Sequence, residues 1–171
     1  SHHSSVPEQT GSSNSLVSTV SIIRTSDNSV VRRIDVPGAV HHVAVNPNGR
    51  FSAVTRPKDD AVTIIDMRSY EVVANIETGG LPNYVSFRPD GSSLFVSNAD
   101  DDSVSSFQTG TWKLNWTIKS GESPEHLVVS NDGATLYVNN VADGTVSFVS
   151  TETGQLIKTI AVGSPLHGID L

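Results

Sequence analysis

Short runs of apolar and β-branched residues alternate with polar turns along most of the chain, and the whole pattern returns every 42 residues. Three turn signals set the register: Asn46-Pro47-Asn48-Gly49, Arg88-Pro89-Asp90-Gly91 and Ser130-Asn131-Asp132-Gly133, each starting 42 residues after the last. The register holds between the turns as well. Val20, Val62, Val104 and Val146 share one repeat position, and Ile34, Ile76, Ile118 and Ile160 share another. Within a unit the first run is Val43–Val45, Val85–Phe87 or Leu127–Val129, and the second is Phe51–Thr55, Leu94–Asn98 or Leu136–Asn140. The third is Val62–Asp66, Val104–Gln108 or Val146–Ser150, and the fourth is Glu71–Ile76, Leu114–Ile118 or Leu156–Ile160. Runs of about five residues joined by short turns predict an antiparallel meander, with no helix of useful length. The Asp-Gly and Asn-Gly pairs supply the positive backbone angles that tight hairpins need.

One four-stranded sheet cannot bury both of its faces alone, and radial repetition, face against face, solves that problem. The predicted fold is therefore all-β: a β-propeller with three complete four-stranded antiparallel blades and partial blades at the termini. The expected boundaries are a leader or tag remnant at 1–16, a half blade at 17–37, blades at 38–79, 80–121 and 122–163, and the first strand of a further blade at 164–171. This order opens on a third strand, Val17 to Thr25, and closes on a first strand, Leu166 to Leu171, so a second strand is missing. A four-bladed ring closed from both ends, a fragment of a larger ring, and two copies joined into an eight-bladed ring are all compatible with that order, and a fragment or a paired chain is favoured.

A chain of 171 residues with 36% hydrophobic and 17% charged residues can bury a core and is neither a disordered tail nor a coiled coil. A net charge of -7 argues against a broad phosphate-binding surface, so no nucleic acid partner is expected. The absence of cysteine excludes zinc-thiolate, iron–sulfur and cysteine-nucleophile chemistry, and with them covalent c-type haem. No apolar run reaches the ~20 residues of a membrane span. Nucleophile elbow, paired zincin histidines, phosphate loop and dinucleotide fingerprint are all missing.

The stretch Gly80-Leu81-Pro82-Asn83-Tyr84-Val85-Ser86-Phe87-Arg88-Pro89-Asp90-Gly91, followed by Leu94-Phe95-Val96-Ser97-Asn98, resembles the YVTN-type β-propeller repeat. Leu136-Tyr137-Val138-Asn139-Asn140 and the turn Ser150-Thr151-Glu152-Thr153-Gly154 carry the same resemblance, which extends over about residues 17 to 171. It implies the propeller fold strongly and function weakly, because the family includes surface-layer proteins, secreted binding proteins and distant relatives of the haem-binding propeller of cytochrome-type nitrite reductases.

First strands line the channel of a propeller, so the residues that start them form a rim. His41, Asn83, Glu125 and His167 occupy one such position, with His42, Tyr84, His126 and Gly168 beside them. Imidazole and carboxylate groups on a channel axis suit a metal, a haem iron or an anionic ligand. The resemblance implies the blander role, in which a histidine here bonds to the main chain of the neighbouring blade. No metal site is named, and no cofactor is expected; haem or a transition metal is the competing reading. Asp59-Asp60, Asp100-Asp101-Asp102 and Asp143 crowd the turns between second and third strands, where calcium is conceivable and solvation is the simpler expectation. Trp112, Trp116 and Tyr70 are expected to pack between outer strands, or else to grip a sugar or protein. Arg32-Arg33, Arg56 and Lys58 are expected to serve solubility and ion pairing.

The leading expectation is a non-catalytic binding or scaffold module, exported or displayed on the cell surface, that presents loops to a protein, peptide or glycan. The alternatives are a cofactor- or metal-binding part of a redox enzyme resembling nitrite reductase, and a structural repeat of a surface layer. A further chain or second copy completing the ring is a possible partner.

Overall fold

The computed structural model describes residues 16–170. The described residues form fourteen strands in four antiparallel sheets, three of them four-stranded meanders. A two-stranded sheet, β1 (Val17–Arg24) with β2 (Ser29–Pro37), precedes three four-stranded blades. Blade 1 is β3 (Val43–Val45), β4 (Phe51–Arg56), β5 (Ala61–Asp66) and β6 (Glu71–Glu77). Blade 2 is β7 (Pro82–Phe87), β8 (Ser93–Asn98), β9 (Ser103–Gln108) and β10 (Leu114–Lys119). Blade 3 is β11 (Pro124–Val129), β12 (Thr135–Asn140), β13 (Thr145–Ser150) and β14 (Leu156–Ala161). The only helical element among the described residues is a 3-10 turn at Pro57–Asp59, between β4 and β5. No described helix is long and apolar enough to cross a membrane.

Strands form at these places because the short apolar runs are flanked by residues that accept positive φ. Gly49, Gly91 and Gly133 take φ of +71°, +75° and +74° in the hairpins between first and second strands. Each blade adds a one-residue irregularity where its third and fourth strands meet, between Ile64 and Ile65 in blade 1 and between Phe148 and Val149 in blade 3. Such bulges increase the twist that radial packing requires.

The core lies in the seams between sheets and not within any one of them. Phe51, Ala53, Val62, Ile64 and Ile76 of blade 1 meet Val85, Phe87, Leu94, Val96 and Phe107 of blade 2. Phe95 and Val104, on the opposite face of blade 2, meet Leu127, Val129, Leu136, Val138 and Val149 of blade 3. Ile34 and Val36 of the two-stranded sheet pack on Val54 and Ile65 of blade 1. Thus β8 alternates Leu94 and Val96 toward one neighbour with Phe95 toward the other, and all three are fully buried. The inner strands stand side by side, β7 touching β3 on one side and β11 on the other.

The segment expected as a first strand at 164–171 is described only as far as residue 170. Residues 162–170 carry no strand, because a strand exists only through a ladder and no described second strand lies beside them. The expected leader at 1–16 lies outside the described residues except for Leu16, whose carbonyl oxygen accepts the Gly38 N–H at 2.7 Å.

Candidate functional site at the channel rim

The repeat places one ring per blade at the start of the inner strand, and adjacent blades bring those rings into contact. His42 stacks on Tyr84 with centroids 3.6 Å apart and planes 22° from parallel. Tyr84 stacks in turn on His126 at 4.7 Å and 28°. His126 meets the edge of His167 at 5.5 Å and 70°. Gly168, which holds the repeat position of these rings, lies against His126, so that a Cβ there would stand 3.8 Å from its Nδ1. Four of the sequence-predicted rim residues thus make one continuous column.

The outer layer behaves differently. His41 is exposed, and its Nδ1–H donates to the Asn83 carbonyl oxygen at 3.1 Å. His42 Nδ1 accepts the Val85 N–H at 3.4 Å, which requires that nitrogen to be unprotonated. Both imidazoles therefore stitch blade 1 to the main chain of blade 2. Asn83 and Glu125 contribute through their backbone carbonyls: Thr55 Oγ1 donates to Asn83 O at 3.4 Å and Ser97 Oγ to Glu125 O at 2.5 Å.

Those two hydroxyls were not anticipated, although their spacing is the same 42 residues and Asn139 holds the next position. Asn139 is buried, and its amide nitrogen has no hydrogen-bond partner among the described residues. Thr55 and Ser97 also receive main-chain N–H bonds from within their own blades, His42 N at 2.8 Å and Tyr84 N at 3.0 Å. Each hydroxyl is thereby the node that ties an inner strand to its own blade and to the next one.

Burial lowers the pKa of His42 to about 4, and nearby His126 and His41 push it the same way. His126 is also lowered, first by desolvation and then by His167, with Glu125 opposing. At neutral pH the imidazoles of His42 and His126 are therefore uncharged. Because the rings cover one another's faces, the column offers chiefly ring edges to a ligand. His41 and His42 additionally line a hollow of about 250 Å3 against Thr19, Val20 and Ser21 of β1.

A metal ion does not fit this arrangement. The stacked rings of His42, Tyr84 and His126 are held face to face, and Nδ1 of both His41 and His42 is engaged by main chain. Among the described residues no group of three or more His, Asp or Glu is arranged to hold a metal.

The remaining candidates are absorbed into structure. Asp60 Oδ1 accepts the Leu81 N–H at 3.0 Å and Asp102 Oδ1 the Ser123 N–H at 2.9 Å, while Asp101 and Asp143 accept the Gly80 and Glu122 N–H groups at 2.9 and 2.7 Å. The acidic turns, expected to be merely solvated, therefore clamp the linkers between blades. Arg56 pairs with Asp59 at 2.7 Å and bonds Asn75 Oδ1 at 3.3 Å. Trp112 and Trp116 pack against the first and second seams, and Tyr70 against the seam of the two-stranded sheet.

Among solved structures, hydrazine synthase of Kuenenia stuttgartiensis is similar over 74% of this chain and 36% of its own, with 25% identity and a TM-score of 0.71. A functionally unknown protein from Desulfotomaculum acetoxidans DSM 771 is similar over 87% of this chain and 50% of its own, with 22% identity and a TM-score of 0.76. The chain thus spans between about a third and half of these two structures. No curated protein matches it. A model of the family described as Lactonase, 7-bladed beta-propeller matches residues 68–164, which is more than half of the 171, and the chain belongs to that family.

Proposed function

We propose that the chain is a binding propeller, without catalysis of its own, that recognises a polypeptide or glycan at the channel rim. The observation that carries this reading is the column His42–Tyr84–His126–His167, a rigid array of packed rings at the rim whose edges are left to meet a sugar or an aromatic side chain. Stacking on rigid rings costs little conformational entropy, which favours binding surfaces of this kind. The YVTN-type repeat, supported by Leu136-Tyr137-Val138-Asn139-Asn140, and an exported or surface location belong to the same reading.

The test is a glycan array and a peptide array probed with the full chain and with Tyr84→Ala and His126→Ala. A discrete set of ligands retained by the parent chain and lost about tenfold or more by both variants is expected, since removing a stacked ring costs about 1–3 kcal/mol. Retention by both variants would place recognition elsewhere.

A lactone-hydrolysing reading rests on the family match at residues 68–164 and on the partly exposed His126 imidazole at the rim, a side chain of the type that serves as a general base. Turnover of γ- and δ-lactones that disappears in His126→Ala would establish it against the binding reading. The redox alternative draws support from the likeness to hydrazine synthase alone, and the stacked geometry offers no convergent ligand set for a metal or haem. A Soret band in the purified protein would revive it.

A further inference from the structure

Each blade ends in an outer strand that is paired on one side only. The free edge of β6 borders two hollows, of about 540 and 230 Å3, that share Glu77, Phe107 and Leu114 and so form one groove along the seam between blades 1 and 2. Ala74, Asn75, Ile76 and Glu77 make the wall on the β6 side. Phe107, Trp112 and Leu114 face them from blade 2, and Leu114 is 57% exposed.

The next seam shows why this one is open. Trp116 stands at the repeat position of Ala74. It reaches across to blade 3, donates its Nε1–H to the Thr151 carbonyl at 3.3 Å and lies on Gly154, where a Cβ would meet the indole at 2.7 Å. Gly154 in turn holds the position of Trp112. Large and small residues are thus exchanged between the two seams. Trp112 turns its ring onto Phe51 in an edge contact at 5.1 Å, and the small Ala74 leaves the groove unfilled.

The groove is also charged. Glu77 and Asp101 are among the residues that line it, and no lysine or arginine is. Asp101 is half engaged by the Gly80 N–H, and Lys119 bonds the Asp101 main-chain oxygen nearby, so Glu77 is the carboxylate left to a partner. A free strand edge, an apolar floor and a carboxylate are the three elements by which an extended peptide is recognised: main-chain pairing supplies affinity and alternate side chains supply specificity.

We propose that this groove takes an extended polypeptide segment as a fifth strand on β6, with an aliphatic side chain on Phe107 and Leu114 and a lysine or arginine against Glu77. The site lies on the perimeter and is independent of the rim.

The probes are capped peptides of alternating valine and lysine, alternating valine and glutamate, and the lysine peptide N-methylated at alternate amides. They are titrated at low salt into the isotope-labelled full chain. Shifts confined to the amides of Ala74–Glu77 and to the Trp112 indole are expected, with the lysine peptide binding at least about tenfold more tightly than the glutamate peptide and the N-methylated one not binding. Glu77→Lys reverses the charge preference. Ala74→Trp, which copies the neighbouring seam, abolishes binding; should that variant not fold, Glu77→Lys still decides. Equal affinity for the two charged peptides, binding that survives N-methylation, no binding of either peptide, or occupation of the groove by a second copy in a concentration-dependent dimer would each overturn the proposal.

Discussion

Gly91 shows how much a single position is asked to do. Its φ of +75° lies where a side chain is costly, and the Asn46 side chain of the preceding blade reaches so close that a Cβ would stand 2.7 Å from Oδ1. Asn46 is 1% exposed and donates its Nδ2–H to the Gly91 carbonyl at 3.0 Å, so it has nowhere to retreat without losing that bond. Gly49 takes a similar φ of +71° in the first turn, yet nothing lies within 4 Å of its would-be Cβ. Gly91→Ala is therefore expected to lower stability by about 2–3 kcal/mol and Gly49→Ala by about 1 kcal/mol, read from urea midpoints at constant slope. Equal losses would mean that backbone strain alone matters and that the contact with Asn46 carries nothing. The Asp-Gly signal was legible in the sequence as a hairpin. That its glycine also admits a side chain from the blade before was not, because the partner lies 45 residues away and only the ring geometry brings it there.

Among elements, the linkers between blades depend on carboxylates. Asp102, itself at φ +51°, accepts the N–H of Ser123, which also has positive φ at +51°; Asp60 at +48° does the same for Leu81 at +52°. Each bond holds an unfavourable backbone in register where the chain crosses from one blade to the next. Asp102→Ala is expected to cost about 1–2 kcal/mol, by loss of a charge-assisted hydrogen bond, while Asp100→Ala in the same turn changes stability by less than about 0.5 kcal/mol. Differential scanning calorimetry of the pair separates them. The strand limits read from the apolar runs agree with the ladders to within one or two residues for the second, third and fourth strands of every blade, since hydrophobic runs and turn residues define them locally. Inner strands β7 and β11 begin three residues earlier than their apolar runs, at Pro82 and Pro124, because rim residues Asn83–Tyr84 and Glu125–His126 join the strand despite being polar.

At the scale of the molecule, the rim column couples stability to pH. The pKa of His42 is near 4 in the fold against 6.5 when free, so the unfolded chain binds the proton first. The contribution is fully present above pH 6.5, declines as pH falls and is lost by about pH 4. Discounted for the solvent that still reaches the ring, it amounts to about 1 kcal/mol, or a few degrees in Tm. His42→Gln is expected to flatten the Tm profile between pH 6.5 and 4. It leaves the steeper loss below the ordinary aspartate range, where Asp66, Asp90 and Asp132, lowered mainly by their hydrogen bonds, become protonated. An unchanged slope in the variant would show that His42 is not the group responsible. By itself the sequence determined the repeat, its four strands, the turns and the positions that must come near one another, because period, β-branched runs and Asp-Gly turns are local properties. Only the tertiary structure decided what those positions do: rings that the sequence merely aligned are packed on one another instead of converging on a metal, aspartates that looked solvated hold linkers, and Ala74 leaves a groove beside Trp112 where its counterpart Trp116 lies on Gly154. Those outcomes follow from the distance and angle between neighbouring blades, which no single repeat encodes.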